Sequence, residues 1–294
     1  MRCLKNLLKA FLSTYYNYRD HRKILVIDGK VAFNGGVNLS DEYINKIQRF
    51  GHWKDTAVML KGEAAKSFAL MFLQMWNLDE RKPDFEKYLV EQNRVTPTEK
   101  KKSNEHYHVS KNAGFVMPYS DCPLDHHRVG ENIYMDILNR ATDYVHIMTP
   151  YLILDGELQR SIEFAAQRGV DVKIILPGIP DKKMAYALAK SHYKALIDAG
   201  VKIYEYTPGF VHAKVFVSDD QKAVIGTIIL DYRSLYHHFE CATYLYHVDC
   251  ISKIETDFED TLVKCQEVTH DTIKHEKLFY KVMGSVMKFV APLM

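Results

Sequence analysis

Long apolar runs are missing from this 294-residue chain: no stretch of 18 apolar residues occurs, so the sequence predicts no helix that spans a bilayer. A charge of one sign is missing too. Lys+Arg 39 against Asp+Glu 37 leave a net charge of +2, and a protein that coats nucleic acid needs a larger basic excess, so no nucleic-acid partner is expected. Cysteine is scarce and scattered. Cys3, Cys122, Cys241, Cys250 and Cys265 form no CxxC pair, which excludes a disulfide-stapled scaffold, argues against structural zinc and fits a reduced, cytoplasm-facing setting. With 14 Gly and 9 Pro the chain is not collagen-like, and 47% hydrophobic residues exclude wholesale disorder. The N-terminal stretch is basic and apolar, but its apolar runs are too short for a signal-peptide core.

What is present reads as two units. His21 to Ile27 and Val31 to Val37 flank an Asp28-Gly29-Lys30 turn, a hairpin signal, followed by a strand near Thr56 to Leu60 and a helix near Glu63 to Trp76. Charged and polar residues dominate from Asp79 to Asn112. Beyond them, strands near Tyr144 to Met148, Val170 to Leu176 and Val201 to Tyr206 alternate with helices near Glu157 to Gln167 and Lys182 to Ala199. That alternation predicts an α/β fold with a mostly parallel sheet covered on both faces. A second hairpin follows, Val211 to Val217 and Ala223 to Ile229. The expected division is a first lobe at 1–100, a linker at 101–112, a second lobe at 113–270 and a C-terminal amphipathic helix at 271–294.

The two hairpins repeat one another at an offset of 191 residues, which indicates a duplicated domain. His21-Arg22-Lys23, four residues and Asp28 match His212-Ala213-Lys214, four residues and Asp219, and Gly35-Gly36-Val37-Asn38 matches Gly226-Thr227-Ile228-Ile229. Residues i and i+2 of a strand share a face, so each hairpin offers an imidazole and an ammonium from one surface. Folding each hairpin about its turn places Asn38 across the ladder from His21, and Ile229 across from His212. If a pseudo-twofold axis relates the copies, two His and two Lys converge on one pocket. Two ammonium groups favour an anion and repel a divalent metal, so the expected chemistry is phosphoryl transfer without a metal or other cofactor. The imidazoles would serve as nucleophile and general acid.

The duplicated H-x-K-(x)4-D-(x)6-G-x-x-N pattern resembles the signature of the phospholipase D superfamily. Tyr18-Arg19-Asp20, Gly51-His52-Trp53-Lys54-Asp55-Thr56, Thr149-Pro150-Tyr151 and the run from Leu230 to Cys241 are similar to bacterial cardiolipin synthases. The resemblance implies two pseudo-twofold-related α/β lobes with the active site between them. It implies transfer of a phosphatidyl group from one phosphatidylglycerol to another, giving cardiolipin through a phosphatidyl-histidine. His21, Lys23, Asp28, His212, Lys214 and Asp219 are then the catalytic motif residues, with His21 taken as nucleophile and the two aspartates structural at their turns. Lys23, Lys214 and Asn38 would hold the phosphoryl oxygens, and Asp55 and Glu240 would orient the histidines. A phosphodiesterase or nuclease on the same fold, or an impaired lipid-binding remnant, are the alternatives.

Two departures stand out. Ile229 occupies the place of the second asparagine. About a hundred residues of alternating strand and helix precede His212 but only twenty precede His21, so the first lobe is expected to be incomplete at its N-terminus, as in a truncated reading frame. Leu4 to Leu12 and Lys277 to Met294 are amphipathic. In the latter, residues 279, 282, 283, 286 and 289 fall on one apolar face opposite lysines, with Pro292 as its stop. Peripheral attachment to an anionic cell membrane is the expectation, against the plainer one that this helix packs on the protein's own core.

Overall fold

The computed structural model describes residues 18–80, 82, 84–85, 88 and 114–291. The Leu4 to Leu12 stretch, the expected 101–112 linker, Cys3 and Pro292 lie outside them. The chain opens with β1 (Arg19–Asp20), β2 (Ile24–Ile27), β3 (Val31–Gly35), β4 (His52–Lys54), β5 (Ala57–Lys61) and α1 (Glu63–Trp76). After β6 (Phe115–Asp121) and α2 (Val129–Arg140) come β7 (Tyr144–Met148), α3 (Gly156–Gln167), β8 (Asp171–Pro177), α4 (Lys183–Asp198) and β9 (Lys202–Tyr206). The remainder is β10 (Gly209–Val211), β11 (Val215–Ser218), β12 (Lys222–Gly226), α5 (Tyr232–Tyr236), β13 (His238–Tyr246), α6 (Cys250–Leu262), β14 (Cys265–Val268), α7 (His270–His275) and α8 (Leu278–Val290).

One nine-stranded sheet dominates, in the order β1-β13-β12-β11-β7-β8-β9-β14, with β6 also on β13. It is mixed, not mostly parallel. Only β7, β8 and β9 run parallel through helical crossovers, and β1 parallel to β13. The β11–β12 connection is a tight turn, which can only return the chain antiparallel. Helices cover both faces: Leu158 and Ile162 of α3 and Leu196 of α4 pack with Val145, Ile147 and Ile174, while Ile254 and Phe258 of α6 pack with Met148, Val215 and Val217. A smaller sheet, β2-β3-β5, lays Ala32 and Leu60 on Ala65 and Phe68 of α1.

Both hairpins turn one half-step away from the expected register. Ile27 pairs with Val31 and Ser218 with Lys222, leaving three residues in each turn. Asp28 (φ 52°), Gly29 (φ 62°), Asp219 (φ 53°) and Asp220 (φ 53°) adopt the left-handed conformation that closes these loops. Asn38 and Ile229 therefore do not face His21 and His212 across a ladder. They lie beyond the ends of β3 and β12.

Two short pairings knit the halves together. β1 runs beside β13, with Arg19 opposite His238 and Asp20 opposite Phe239. β4 runs beside β10, with Trp53 opposite Phe210 and Lys54 opposite Val211. The C-terminal α8 seats on α4, where a Cβ at Gly284 would lie 2.4 Å from the Ala187 carbonyl oxygen. Met287 is buried there and Met283 partly so, whereas Phe279, Val282, Val286 and Phe289 stay exposed. The expected apolar face is thus split: Met283 belongs to the core side, the others to the surface.

Candidate active site

The register of those two pairings carries each motif histidine to a carboxylate from the other half. Asp20 beside Phe239 makes His21 the next residue along, where its N–H donates to the Phe239 carbonyl and its Nδ1 lies 2.9 Å from Oε1 of Glu240. Lys54 beside Val211 does the same for His212, whose N–H donates to the Lys54 carbonyl and whose Nδ1 lies 2.8 Å from Oδ2 of Asp55. Each carboxylate is buried. Burial opposes the charge on Glu240, but the His21 and His238 imidazoles and the Thr227 hydroxyl outweigh it and hold the carboxyl at about 2. Asp55 is likewise lowered against the cost of burial, by His212 and Lys214.

The lysines curl back over their histidines. Lys23 Nζ donates to the His21 carbonyl at 2.6 Å, and Lys214 Nζ to the His212 carbonyl at 2.5 Å. Lys214 is 2% exposed, and its Nζ sits 2.9 Å from Nε2 of His212. Burial and the Lys23 charge bring its ammonium down to about 7, with Asp55 and Glu240 pulling the other way. Burial, then the Lys214 charge, pushes His212 down to about 4. Lys23 is lowered by burial, and the attraction of Glu240 opposes that. Burial is thus the leading cause for both ammoniums, and the nearby carboxylates only partly offset it.

Other expected residues lie elsewhere. Asn38 donates to the Tyr43 hydroxyl at 2.5 Å, and the Tyr43 ring stands edge-on to His212 at 5.1 Å, so Asn38 joins the His212 wall instead of facing His21. Ile229 is buried at 6% exposure. Asp219 accepts the backbone N–H groups of Asp143 and Tyr144 at its turn, and Asp28 sits exposed at the equivalent turn. Asp219 is thus spent on holding its own turn.

Three participants escaped the sequence reading. Thr227 hydroxyl donates to Oε2 of Glu240. His238 packs at 5.4 Å from the His21 ring with Nδ1 3.4 Å from Glu240. Its spacing of two from Glu240 on β13 was the available signal, since i and i+2 share a face. Trp53, 5.3 Å from His212, completes an aromatic wall.

Gly36 makes the Asp55–His212 contact possible. A Cβ there would lie 2.2 Å from Oδ1 of Asp55 and 3.0 Å from the His212 carbonyl. Gly36→Ala is expected to displace Asp55 and cut turnover by roughly 10²-fold, the scale of an ångström of misplacement. Steady-state kinetics on the variant check this; a rate within a factor of two of the native one would show that the contact is dispensable.

Residues 134–262 match the family model described as "Cardiolipin synthase, PLD-like domain". The chain is 62% identical over 287 residues to an uncharacterized protein of Streptococcus mutans, covering 98% of this chain and 59% of that protein. It is 35% identical over 284 residues to a cardiolipin synthase of a Geobacillus species, covering 97% of this chain and 54% of that one. The fold resembles the crystal structure of phosphatidylserine synthase from Haemophilus influenzae, with a TM-score of 0.65 at 16% identity over 95% of this chain and 70% of that one. The chain thus spans little more than half the length of the curated relatives it matches. The fold is phospholipase D-like.

Proposed function

We propose that this chain, similar to cardiolipin synthases along 97% of its length and carrying their PLD-like domain at 134–262, transfers a phosphatidyl group between phosphatidylglycerol molecules. The observation that carries the reading is the crossed arrangement of two His–carboxylate pairs around the half-buried Lys23 and the buried Lys214. Glu240 holds Nδ1 of His21 and leaves Nε2 to attack phosphorus. The bond from phosphorus to the leaving glycerol breaks, and His212 gives that oxygen its proton. The hydroxyl of a second phosphatidylglycerol then returns a proton to His212 as it attacks the phosphatidyl-histidine, and the P–N bond breaks. Lys23 and Lys214 offset the charge on the non-bridging oxygens throughout.

His212 needs the substrate to hold a proton. At about 4 it is neutral in the empty pocket at neutral pH, chiefly because of burial and Lys214. An anionic phosphate beside Lys214 offsets that charge and favours the imidazolium, so the acid is armed only with substrate bound.

Thin-layer chromatography after incubation with phosphatidylglycerol vesicles tests the reading. Cardiolipin supports it, phosphatidic acid alone favours a hydrolytic phosphodiesterase, and no product favours an impaired lipid-binding remnant, for which the buried Ile229 in place of a polar donor is the motive.

Among the described residues, no helix is long and apolar enough to cross a membrane. The exposed stripe of Phe279, Val282, Val286 and Phe289 beside Lys281 and Lys288 suits the interface of an anionic bilayer. Deleting α8 would expose its seat on α4, so point changes are the cleaner measurement. Val282→Glu with Phe289→Glu is expected to weaken co-sedimentation with phosphatidylglycerol vesicles at least tenfold while leaving the melting temperature unchanged. Undiminished sedimentation would locate membrane attachment elsewhere.

A further inference from the structure

His146 sits in the middle of β7 with its side chain 5% exposed, clamped between Phe258 at 4.5 Å and Tyr144 at 4.4 Å. Carboxylates surround it. Glu255 and Glu259, one turn apart on α6, share a helix face and meet Nδ1, with Oε1 atoms at 2.8 Å and 3.8 Å. Oδ2 of Asp171 lies 3.8 Å from Nε2. Lys173 Nζ lies 3.3 Å from both Glu259 and Asp171, and Lys202 also holds Asp171. Nε2 of His146 and Oε2 of Glu255 are buried without a hydrogen-bond partner.

No placement of a single ring proton satisfies this cluster. On Nδ1 the proton serves Glu255 and leaves the Nε2 lone pair toward Asp171; on Nε2 it points at Asp171 from 3.8 Å, too far for a hydrogen bond, and sets the Nδ1 lone pair against Glu255. A cation at Nδ1 resolves both conflicts. We propose that Nδ1 of His146 and the carboxylates of Glu255 and Glu259 bind a divalent transition-metal ion of the zinc class, with the Nε2 proton directed at Asp171, which accepts it by closing from 3.8 Å. The ring proton moves from Nδ1 to Nε2 and none is released. This is the usual support for a metal-bound imidazole, whose other nitrogen donates to a carboxylate. The three ligand atoms lie within 4.8 Å of one another, close enough to share one ion that bonds such atoms at about 2.0–2.2 Å. The mixed imidazole and carboxylate set suits zinc better than calcium or magnesium. The ion would pin α6 to the central sheet, and it shares no residue with the His21–His212 pocket.

The experiment is zinc titration of chelator-treated native chain against a chromogenic competitor, with thermal melts alongside. One tightly bound equivalent is expected, with a rise in melting temperature of on the order of 5 °C at hundredfold excess over Kd. Glu255→Gln should weaken binding at least tenfold, and Lys173→Met, which removes the competing ammonium, should strengthen it. Equal binding by Glu255→Gln, or no binding by either the native chain or Lys173→Met, overturns the proposal. The latter is the result expected if the ring is instead doubly protonated among its carboxylates. Neither measurement depends on turnover, so the outcome is separate from that of the transferase reading.

Discussion

Replacing either His21 or His212 with alanine is expected to lower turnover on the order of 10⁴-fold or more, with the melting temperature held within a few degrees. The two imidazoles stand in mirrored settings, each tied at Nδ1 to a buried carboxylate from the opposite half, so neither can take over the other's bond-making step. Because nucleophile and acid act as one unit, the double variant should be no slower than the slower single one. Chromatography of product from each variant, at matched protein concentration, provides the measurement. A single variant that keeps more than about a hundredth of the native rate would exclude the two-histidine mechanism. The same result in both would move the chemistry away from this pocket altogether.

Lys214→Met is expected to do two opposite things: abolish activity and stabilise the protein. Methionine fills a similar unbranched volume without the charge. The Lys214 ammonium is lowered from 10.5 to about 7, chiefly by burial, so the unfolded chain binds its proton more tightly than the folded one. The sign follows from proton linkage. Below about pH 7 the folded protein bears the full cost of the buried charge, on the order of 5 kcal/mol, and that cost fades as pH rises from about 7 toward 10.5. The variant should therefore melt several degrees above the native chain at pH 6, with the gap narrowing by pH 9. Phosphatidyl transfer should fall by at least roughly 10³-fold, since an electrostatic partner of the phosphoryl oxygens is gone. A variant that melts lower than the native chain at pH 6 would mean that the Lys214–Asp55 attraction outweighs the burial cost. Retained activity would remove Lys214 from the transition state.

Much of the local structure was legible because it depends on neighbours in sequence. The helix at Glu63–Trp76 and the strand at Tyr144–Met148 fall where the apolar spacing predicts them, since each buries one contiguous stripe or run. The hairpins were legible as hairpins, but not in register. A three-residue turn with Asp28 and Gly29 in the left-handed conformation shifts the pairing by one, and a shift of one exchanges the faces of a strand. That misplaced Asn38 and Ile229. The βαβ alternation of the second unit predicts a mostly parallel sheet, while one antiparallel partner of β13 comes from as far away as Phe115–Asp121.

The sequence by itself determined the inventory: two imidazoles and two ammoniums at matched spacing in a duplicated hairpin, with carboxylates at Asp55 and Glu240. Those identities are local, and repetition at one offset exposes them without coordinates. Tertiary structure alone decided who partners whom. Glu240 serves His21 across 219 positions of sequence, and Asp55 serves His212 across 157, through two pairings only two and three residues long. Strands that short carry no pattern of their own; their register is set by the packing of the larger sheets around them. Burial was decided there as well. Lys214 is marked in sequence by the repeated motif, but only its burial in the fold brings its ammonium to about 7.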